Sequence, residues 1–243
     1  GKLSPLLGGV FEATSNLHLY ANFAQSFAPP SPRVTGEALP EESQQIELGA
    51  RQELMDGRMK LTAAAYEIER ENIAIPDDNG FTQQVGDQRS RGLELEVAME
   101  LVDGLHGLLV YGYTDSVLTR FTESVLVALD PPTYMTIDRS GNQAAFAPEH
   151  LARLWLNKSF DFGLSLGGGL RFVGNQFIAE DNATELDSYM LVDLAAVYQF
   201  RQWRFSLFLK NVTDQEYETR GFGTSTVIPG QPISATLGID FRF

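Results

Sequence analysis

Apolar and polar residues alternate along this chain at a spacing of two, in segments of roughly ten residues separated by turn-forming clusters. The pattern is plainest in the last segment, where Ile233, Leu237 and Phe243 fall on one side and Thr236 and Asp240 on the other. Successive side chains of a strand point to opposite faces. The spacing therefore predicts strands that have one apolar face and one face of small polar or charged residues.

Eleven strands are predicted from this alternation, and the connections between them alternate in length. Short turns such as Asp56-Gly57 and Asp103-Gly104 separate longer polar links, the longest of which runs from Arg120 to Pro148. No linker or change of composition marks a second domain, so residues 1–243 are predicted to form one all-β, antiparallel domain. The predicted strands are residues 4–13, 17–27, 42–54, 59–74, 81–102, 106–119, 149–160, 164–174, 188–200, 203–214 and 231–243.

Two features favour a transmembrane barrel over a soluble sheet. The apolar faces are nearly free of charge, whereas the polar faces carry charges such as Glu47, Arg51 and Arg171. A lipid-facing wall requires this separation, because Arg or Lys at the bilayer midplane costs about 2–4 kcal/mol. Short turns at one end and long loops at the other are also usual in outer-membrane barrels. A soluble β-sandwich that serves as a binding module is the alternative, with its apolar face packed on a core.

The odd number of strands has its own consequence. Single-chain bacterial barrels generally have an even number of strands, and an odd set leaves an edge whose backbone groups have no partner in hydrocarbon. The count therefore predicts part of a larger barrel, and the absence of an initial Met fits a chain without its original start. A small closed barrel that acts as a passive diffusion channel would need an even count.

Composition excludes several other classes of function. The net charge is −14, from 32 acidic and 18 basic residues, which argues against nucleic acid as a partner. The chain has no cysteine, and no apolar run is long enough for a transmembrane helix. His18, His106 and His150 are far apart and none lies in a metal-binding spacing. We therefore expect no catalytic residues, no protein-bound metal and no cofactor: the chain is not predicted to be an enzyme.

An ordered series of motifs gives a resemblance to a known family. The motifs lie at residues 17–29 (LHLYANFAQSFAP), 47–58 (from ELGAR to DGR), 89–96 (RSRGLELE) and 211–217 (NVTDQEY), and the chain ends on Phe243. In this order they resemble the C-terminal half of the barrel of TonB-dependent outer-membrane receptors of the siderophore type. The resemblance covers nearly the whole chain.

The resemblance implies more than the alternation does. It implies a 22-stranded barrel, of which the eleven strands form half, in the outer membrane of a Gram-negative bacterium. It also implies an N-terminal plug domain and a TonB-contacting segment that this chain lacks. The implied function is import of a ferric siderophore, energised by the TonB complex, with the siderophore as transported ligand and not as cofactor. Outer-membrane lipid and the barrel-assembly machinery are the other implied partners.

Candidate site residues follow from position and chemistry. Ferric siderophores are often anionic or aromatic, so arginine and aromatic side chains on the long loops are candidates for ligand contact, although a residue at such a position more often packs its own loop. Asn211 and Asp214 are predicted to end a strand, because such side chains bond nearby backbone groups. The candidate ligand residues are Arg33, Tyr134, Arg139, Phe146, Phe177 and Phe222.

Three further sets of residues are predicted to serve the architecture. Arg89, Arg91, Glu94 and Glu96 are expected to form ion pairs on the lumen side, with neighbouring strands or with the plug. Phe241 and Phe243 resemble the terminal signal that the barrel-assembly machinery reads. Aromatic residues near strand ends predict interface girdles; they are Tyr20, Phe27, Tyr113, Trp155, Trp203 and Tyr217.

Overall fold

The computed structural model describes residues 3–30, 34, 39–76, 82–222 and 226–243, and within them the chain forms sixteen strands. The strands are β1 (Leu6–Thr14), β2 (Leu17–Ala28), β3 (Glu41–Leu54), β4 (Met59–Pro76), β5 (Thr82–Val102), β6 (Leu105–Leu129), β7 (Pro132–Asp138), β8 (His150–Ser159), β9 (Leu164–Val173), β10 (Gln176–Phe177), β11 (Glu185–Leu186), β12 (Tyr189–Phe200), β13 (Trp203–Lys210), β14 (Glu218–Phe222), β15 (Thr226–Pro229) and β16 (Ser234–Phe241). Within these ranges, no helix has the length and hydropathy needed to cross a bilayer.

One antiparallel sheet, here called the wall, contains most of these strands. Its order is β1-β2-β3-β4-β5-β6-β8-β9-β12-β13-β16, and β7 pairs with the distal part of β6. The two remaining sheets are the two-stranded pairs β10-β11 and β14-β15. The predicted all-β class and the eleven consecutive wall strands are confirmed.

The largest error in the predicted bounds concerns β6. This strand continues to Leu129, although the sequence predicts its end at residue 119 and a polar link after it. The difference arises because residues 122–129 pair with β7 and form a hairpin that extends beyond the wall. The segment SVLVAL inside the predicted link consists largely of strand-forming residues. The polar residues around it nevertheless led to the prediction of a link there.

Connections at the two ends of the wall differ as predicted. At one end, here called the turn end, tight turns contain residues with positive φ, among them Asp56 (54°), Gly104 (70°), Gly163 (91°) and Arg201 (52°). A positive φ is the backbone conformation that such turns require. At the other end, the loop end, the connections are longer and contain β7 and both two-stranded sheets. The alternation of short and long connections is confirmed.

Cross-strand register separates the side chains of the wall into two faces. Gly9, Ala21, Leu48, Ala65 and Leu93 lie opposite one another in turn from β1 to β5, and they belong to what we call the apolar face. The next row across the same strands consists of Val10, Tyr20, Gly49, Ala64 and Glu94, on what we call the polar face. Each strand thus contributes alternate residues to each face, as the period-two pattern requires.

The apolar face has no protein layer over it in the described part of the chain. Leu48 is 59% exposed, Leu93 56% and Leu237 80%. A soluble β-sandwich would bury this face against a second sheet, so the sandwich alternative is wrong. The most deeply buried residues lie instead toward the loop end, where Leu118, Leu186 and Leu191 are each only 1% exposed.

Candidate functional site

Three long connections at the loop end contact one another, and we call residues 139–149, 174–188, 211–222 and 226–233 the loop cluster. The first two are joined by a reciprocal pair of hydrogen bonds. The backbone N–H of Gln143 donates to Oδ1 of Asn182 at 2.9 Å, and Nδ2 of Asn182 donates to the carbonyl of Gln143 at 2.9 Å. Such side-chain bonds to backbone let irregular segments pack without unsatisfied polar groups.

Phe146 lies where the three connections meet. Its backbone N–H donates to the carbonyl of Phe177 at 2.9 Å. The guanidinium carbon of Arg220 lies 5.7 Å from the centroid of the Phe146 ring, within the range of a cation–π contact. The ring is still 39% exposed, and Arg220 is exposed as well. An exposed cation beside an exposed aromatic ring can receive an anionic or aromatic ligand.

Of the six predicted ligand residues, the structure describes the side chains of four, and these four do not lie at one site. Phe146 and Phe177 come together in the loop cluster, whereas Tyr134 lies on β7 in the extended hairpin. Arg139 forms an ion pair with Glu123 at 3.0 Å. Arg33 and the side chain of Phe222 lie outside the described residues.

Arg220 was missed by the sequence reasoning. In the sequence it precedes the candidate Phe222 by two residues, which is the spacing of one strand face. That spacing was the signal that could have identified it. Ligand contact by any of the six candidate residues stays a prediction.

Glu180 is a carboxylate in an unusual environment within the loop cluster. Burial raises the pKa of this group, and the nearby Glu123 and Asp181 act in the same direction, while a backbone hydrogen bond opposes them. Its backbone carbonyl accepts a hydrogen bond from Nδ2 of Asn142 at 2.8 Å. The described residues contain no group of three or more His, Asp or Glu side chains that could hold a metal ion.

Asn211 joins the end of β13 to the start of β16. Asn211 is 2% exposed. Its Nδ2 donates to the carbonyls of Gln215 at 2.9 Å and Gln231 at 3.1 Å. Its Oδ1 accepts a hydrogen bond from the backbone N–H of Gln215. Asp214 accepts from the backbone N–H of Ile233 at 2.8 Å. The predicted role of Asn211 and Asp214 at a strand end is confirmed.

A second candidate region lies on the polar face of the wall. Glu94 and Glu96 of β5 and Arg153 and Arg171 of β8 and β9 line a recess of about 420 Å³, which we call the charged recess. Arg153 lies directly opposite Arg171 in the β8–β9 register. Within the described part of the chain, none of these four side chains makes an ion pair.

The register corrects the prediction for Arg89, Arg91, Glu94 and Glu96. Glu94 and Glu96 lie on the polar face, but Arg89 and Arg91 are an odd number of residues away and lie on the other face. Arg91 forms an ion pair there with Glu67 of β4. The ion pair with a neighbouring strand therefore exists, but the prediction of a lumen-side position is wrong for both arginines, because one step along a strand reverses the face.

Aromatic rings on the polar face cover glycines of the next strand. The Tyr66 ring occupies the space that a Cβ at Gly92 would need, and the Trp155 ring does the same at Gly167 and Gly169. These glycines thus accommodate large rings from a neighbouring strand. The prediction of an interface girdle is therefore wrong for Trp155 and Tyr20, because both residues lie on the polar face.

The apolar face has its own aromatic group at the turn end. The Trp203 and Phe241 rings are 4.7 Å apart between centroids, and Phe243 contacts Phe241 edge-on at 5.2 Å. Trp203 and Phe241 are half exposed, at 43% and 44%. Aromatic rings at this level of the wall are typical of a membrane-interface girdle. Recognition of Phe241 and Phe243 by the barrel-assembly machinery remains a prediction.

Comparison with known proteins agrees with this architecture. The family described as TonB dependent receptor-like, beta-barrel, matches residues 1–212. The metal-pseudopaline receptor of Pseudomonas aeruginosa is 27% identical over 99% of this chain and 33% of its own length. The ferrichrome outer membrane transporter and phage receptor of Escherichia coli K12 is 28% identical over 92% of this chain and 30% of its own.

Solved structures give the same result for the fold. The siderophore receptor PiuA of Acinetobacter baumannii superposes with a TM-score of 0.82 at 25% identity, over 99% of this chain and 36% of the receptor. The chain thus spans about a third of the length of the relatives it matches. That share agrees with an incomplete set of barrel strands. On the family match, the strand order and the two contrasting faces, the chain belongs to the TonB-dependent receptor β-barrel family of Gram-negative outer membranes.

Proposed function

We propose that this chain forms part of the barrel of an outer-membrane receptor that imports a ferric siderophore with energy from TonB. The observation that carries the proposal is the difference between the two faces of the wall. Exposed leucines such as Leu48 and Leu93 lie on the apolar face, and charged residues such as Glu94 and Arg153 lie on the polar face. A sheet of this kind separates lipid from a wet interior. No catalytic step belongs to the proposal. One relative is named as a probable siderophore receptor and others as a ferrichrome transporter and a ferrioxamine receptor, which supports the choice of ligand.

The free edges of the wall support a larger barrel. In the described residues, β1 pairs only with β2, and β16 pairs only with β13. An edge in hydrocarbon leaves backbone N–H and C=O groups without partners, so only closed barrels span a membrane with strands. We infer that further strands join both edges and that a plug domain fills the interior, as the lengths of the relatives allow.

Phe146 and Arg220 are the proposed contacts for the chelate. Both are exposed, and their 5.7 Å contact holds a positive charge and a flat ring side by side at the junction of three loops. Ferric siderophores are often anionic or aromatic, and a guanidinium can bond such an anion with charge-assisted hydrogen bonds. Phe177 positions Phe146 through its backbone carbonyl.

A binding measurement on the complete receptor tests this proposal. We expect Phe146→Ala and Arg220→Ala each to weaken binding of the ferric siderophore about tenfold, which corresponds to about 1.4 kcal/mol. Arg201→Ala is the matched control, because Arg201 makes a similar contact with Phe200 (5.4 Å) at the turn end, and it should leave affinity unchanged. Growth on the ferric siderophore as iron source should require both the receptor and TonB.

Two outcomes would contradict the proposal at different levels. Growth on the ferric siderophore that is independent of TonB would contradict active import and favour a passive channel. Equal affinities for Phe146→Ala, Arg220→Ala and the Arg201→Ala control would reject the loop cluster as the ligand site while leaving import itself intact.

A further inference from the structure

Exposed aromatic rings follow the turn end of the apolar face from β8 to β16. The Phe160 and Phe162 rings are 5.4 Å apart between centroids, and the Trp203 and Phe241 rings are 4.7 Å apart. Rings at such a level of a barrel wall lie at the membrane–water interface, beside the lipid headgroups. The members of what we call the aromatic band are between 36% and 65% exposed, and they are Phe160, Phe162, Phe200, Trp203, Phe205 and Phe241.

Two cations lie against the rings of this band. Nζ of Lys158 is 5.8 Å from the centroid of the Phe160 ring, within the range of a cation–π contact. The guanidinium carbon of Arg201 is 5.4 Å from the centroid of the Phe200 ring. Lys158 pairs across the strands with Leu166 and shares the apolar face with it. Arg201 directly follows Phe200 in the β12–β13 turn. Positive charge is therefore held on the lipid side of the turn end.

Cations in the other half of the turn end are satisfied by protein groups. Lys60 forms an ion pair with Glu53 at 3.4 Å. The guanidinium of Arg58 donates a hydrogen bond to the backbone carbonyl of Glu100 at 3.2 Å. These two side chains thus have polar partners within the chain itself.

Lys158 and Arg201 differ from them in this respect. Among the described residues, the guanidinium of Arg201 contacts the Phe200 ring and has no hydrogen-bond or ion-pair partner. Lys158 donates one hydrogen bond, to the backbone carbonyl of Asp103 at 2.6 Å, although an ammonium has three donors. Within the described ranges, neither cation forms an ion pair with the carboxylates of Asp103 or Asp161. Two positive charges on the lipid side therefore lack an anion.

We propose that Lys158 and Arg201 each bind the phosphate of an anionic phospholipid, with the acyl chains of the lipid along the aromatic band. Short turns of outer-membrane barrels face the periplasm, so the turn end meets the inner leaflet, which consists of phospholipid. Charge complementarity selects this occupant, because an ammonium or a guanidinium bonds a phosphate with charge-assisted hydrogen bonds. The inference rests on the membrane wall of the proposed function and not on the ligand that the receptor imports.

Photo-cross-linking of the complete receptor in phosphatidylcholine vesicles tests the site. Photoactivatable phosphatidylglycerol, which carries a net negative charge, is compared with an equal amount of photoactivatable phosphatidylcholine, which carries no net charge. Mass spectrometry of the peptides locates the labels. Residues 158–163 and 200–205 should be labelled about fivefold more by phosphatidylglycerol, which corresponds to about 1 kcal/mol for each cation near an anionic lipid.

Substitutions of the two cations separate charge from shape. Arg201→Gln should remove the preference for phosphatidylglycerol at residues 200–205, and Lys158→Gln should remove it at residues 158–163. Arg201→Lys should retain the preference, because the positive charge is kept. Equal labelling of the wild type by the two lipids, or an undiminished preference in both glutamine variants, would overturn the inference.

Arg204→Gln is the matched control for these substitutions. Arg204 lies at the same end of the wall, but it pairs with Asp240 on the polar face and so points away from lipid. The preference at residues 200–205 should therefore persist in Arg204→Gln. Its loss there would mean that the net charge of the turn end, and not the site at Arg201, selects the lipid, which would also overturn the inference.

Salt supplies a second measurement on the wild-type receptor. The Debye length falls from about 10 Å at 0.1 M ionic strength to about 3 Å at 1 M, so attraction between exposed charges weakens. The fivefold preference for phosphatidylglycerol should fall toward equal labelling over this range. A preference that salt leaves unchanged would contradict binding through the two cations.

Failure of this inference and failure of the proposed function can be distinguished. A receptor that imports ferric siderophore normally but shows no lipid preference would remove only the phospholipid site. A wild-type receptor without TonB-dependent import would remove the proposed function. Labelling of the aromatic band by neither lipid would remove the membrane wall on which both proposals rest.

Discussion

The wall and the loop cluster are stabilised by different means. In the wall, apolar side chains such as Leu48 and Leu237 are largely exposed, at 59% and 80%. Toward the loop end, Leu118 and Leu186 are 1% exposed, and Asn182 and Asn211 bond to the backbone of other segments. Lipid can replace a protein core for the wall, whereas the loops must make their own core in water.

This difference explains where polar hydrogen bonds matter. The strands satisfy their backbone groups through regular pairing, so few side chains are needed for that purpose. Outside its two short sheets the loop cluster has irregular backbone, and the N–H and C=O groups there need side-chain partners such as Asn142, Asn182 and Asn211. The wall should therefore be sensitive to charge on its apolar face, and the loop cluster to the loss of single amide side chains.

The largest expected effect is that of a charge placed on the apolar face. Leu48→Arg should destabilise the barrel in lipid by about 2–4 kcal/mol, because the guanidinium would have to leave water near the middle of the membrane. Asn22→Arg is the control, since Asn22 faces Glu47 on the polar face, and it should be nearly neutral. Urea titration of the receptor in phospholipid vesicles measures both. Equal destabilisation by the two variants would contradict the assignment of faces.

Removal of one amide from the loop cluster should have the next largest effect. Asn211→Ala deletes the bonds that this buried side chain makes to the backbone of Gln215 and Gln231, at a cost of about 1–3 kcal/mol. Hydrogen exchange should become faster in residues 211–222 and 226–233. Asn157→Ala, in the wall, removes only a 3.4 Å contact with Ser159 and should change exchange little. An unchanged loop in Asn211→Ala would contradict the structural role of this residue.

The smallest expected effect is a pH dependence of the loop cluster. Because burial raises the pKa of Glu180, folding of the loop favours the protonated form. Its contribution to loop stability is fully present below the ordinary glutamate pKa and is lost as pH rises through the raised value. Hydrogen-exchange protection factors in residues 174–188 should therefore decrease as pH rises from the ordinary glutamate pKa through the raised pKa of Glu180.

Glu180→Gln should make that protection independent of pH over the same interval, since glutamine cannot ionise. Glu185→Gln is the control, because Glu185 is exposed on β11, and it should retain the wild-type profile. A wild-type pH dependence that persists in Glu180→Gln would contradict the account for Glu180.

The sequence predicted the wall much better than it predicted the sites. Period-two alternation is a local property, so Leu93, Leu95 and Val97 could be placed on one face without knowledge of the fold, and the eleven wall strands followed. The predicted face was wrong for Arg89 and Arg91 because they were grouped with Glu94 and Glu96 by proximity in the chain. An odd number of residues separates each arginine from the two glutamates, so they lie on opposite faces.

The loop cluster could not be predicted because its contacts join distant segments. Arg220 meets Phe146 and Asn182 meets Gln143 through loops of irregular backbone, whose paths carry no periodic signal. The opposition of Arg153 and Arg171 required the register between β8 and β9. Such pairs depend on how strands align, which the sequence of either strand alone does not specify.

The most direct test of the central claim is the environment of consecutive side chains along β3 in the complete receptor. The chain contributes no native cysteine, so single cysteines at positions 46 to 51 can carry a spin label one at a time. The account predicts period-two alternation: labels at Ile46, Leu48 and Ala50 should be accessible to oxygen dissolved in lipid, and labels at Glu47, Gly49 and Arg51 should not. Uniform accessibility along β3, or alternation of the opposite phase, would contradict it.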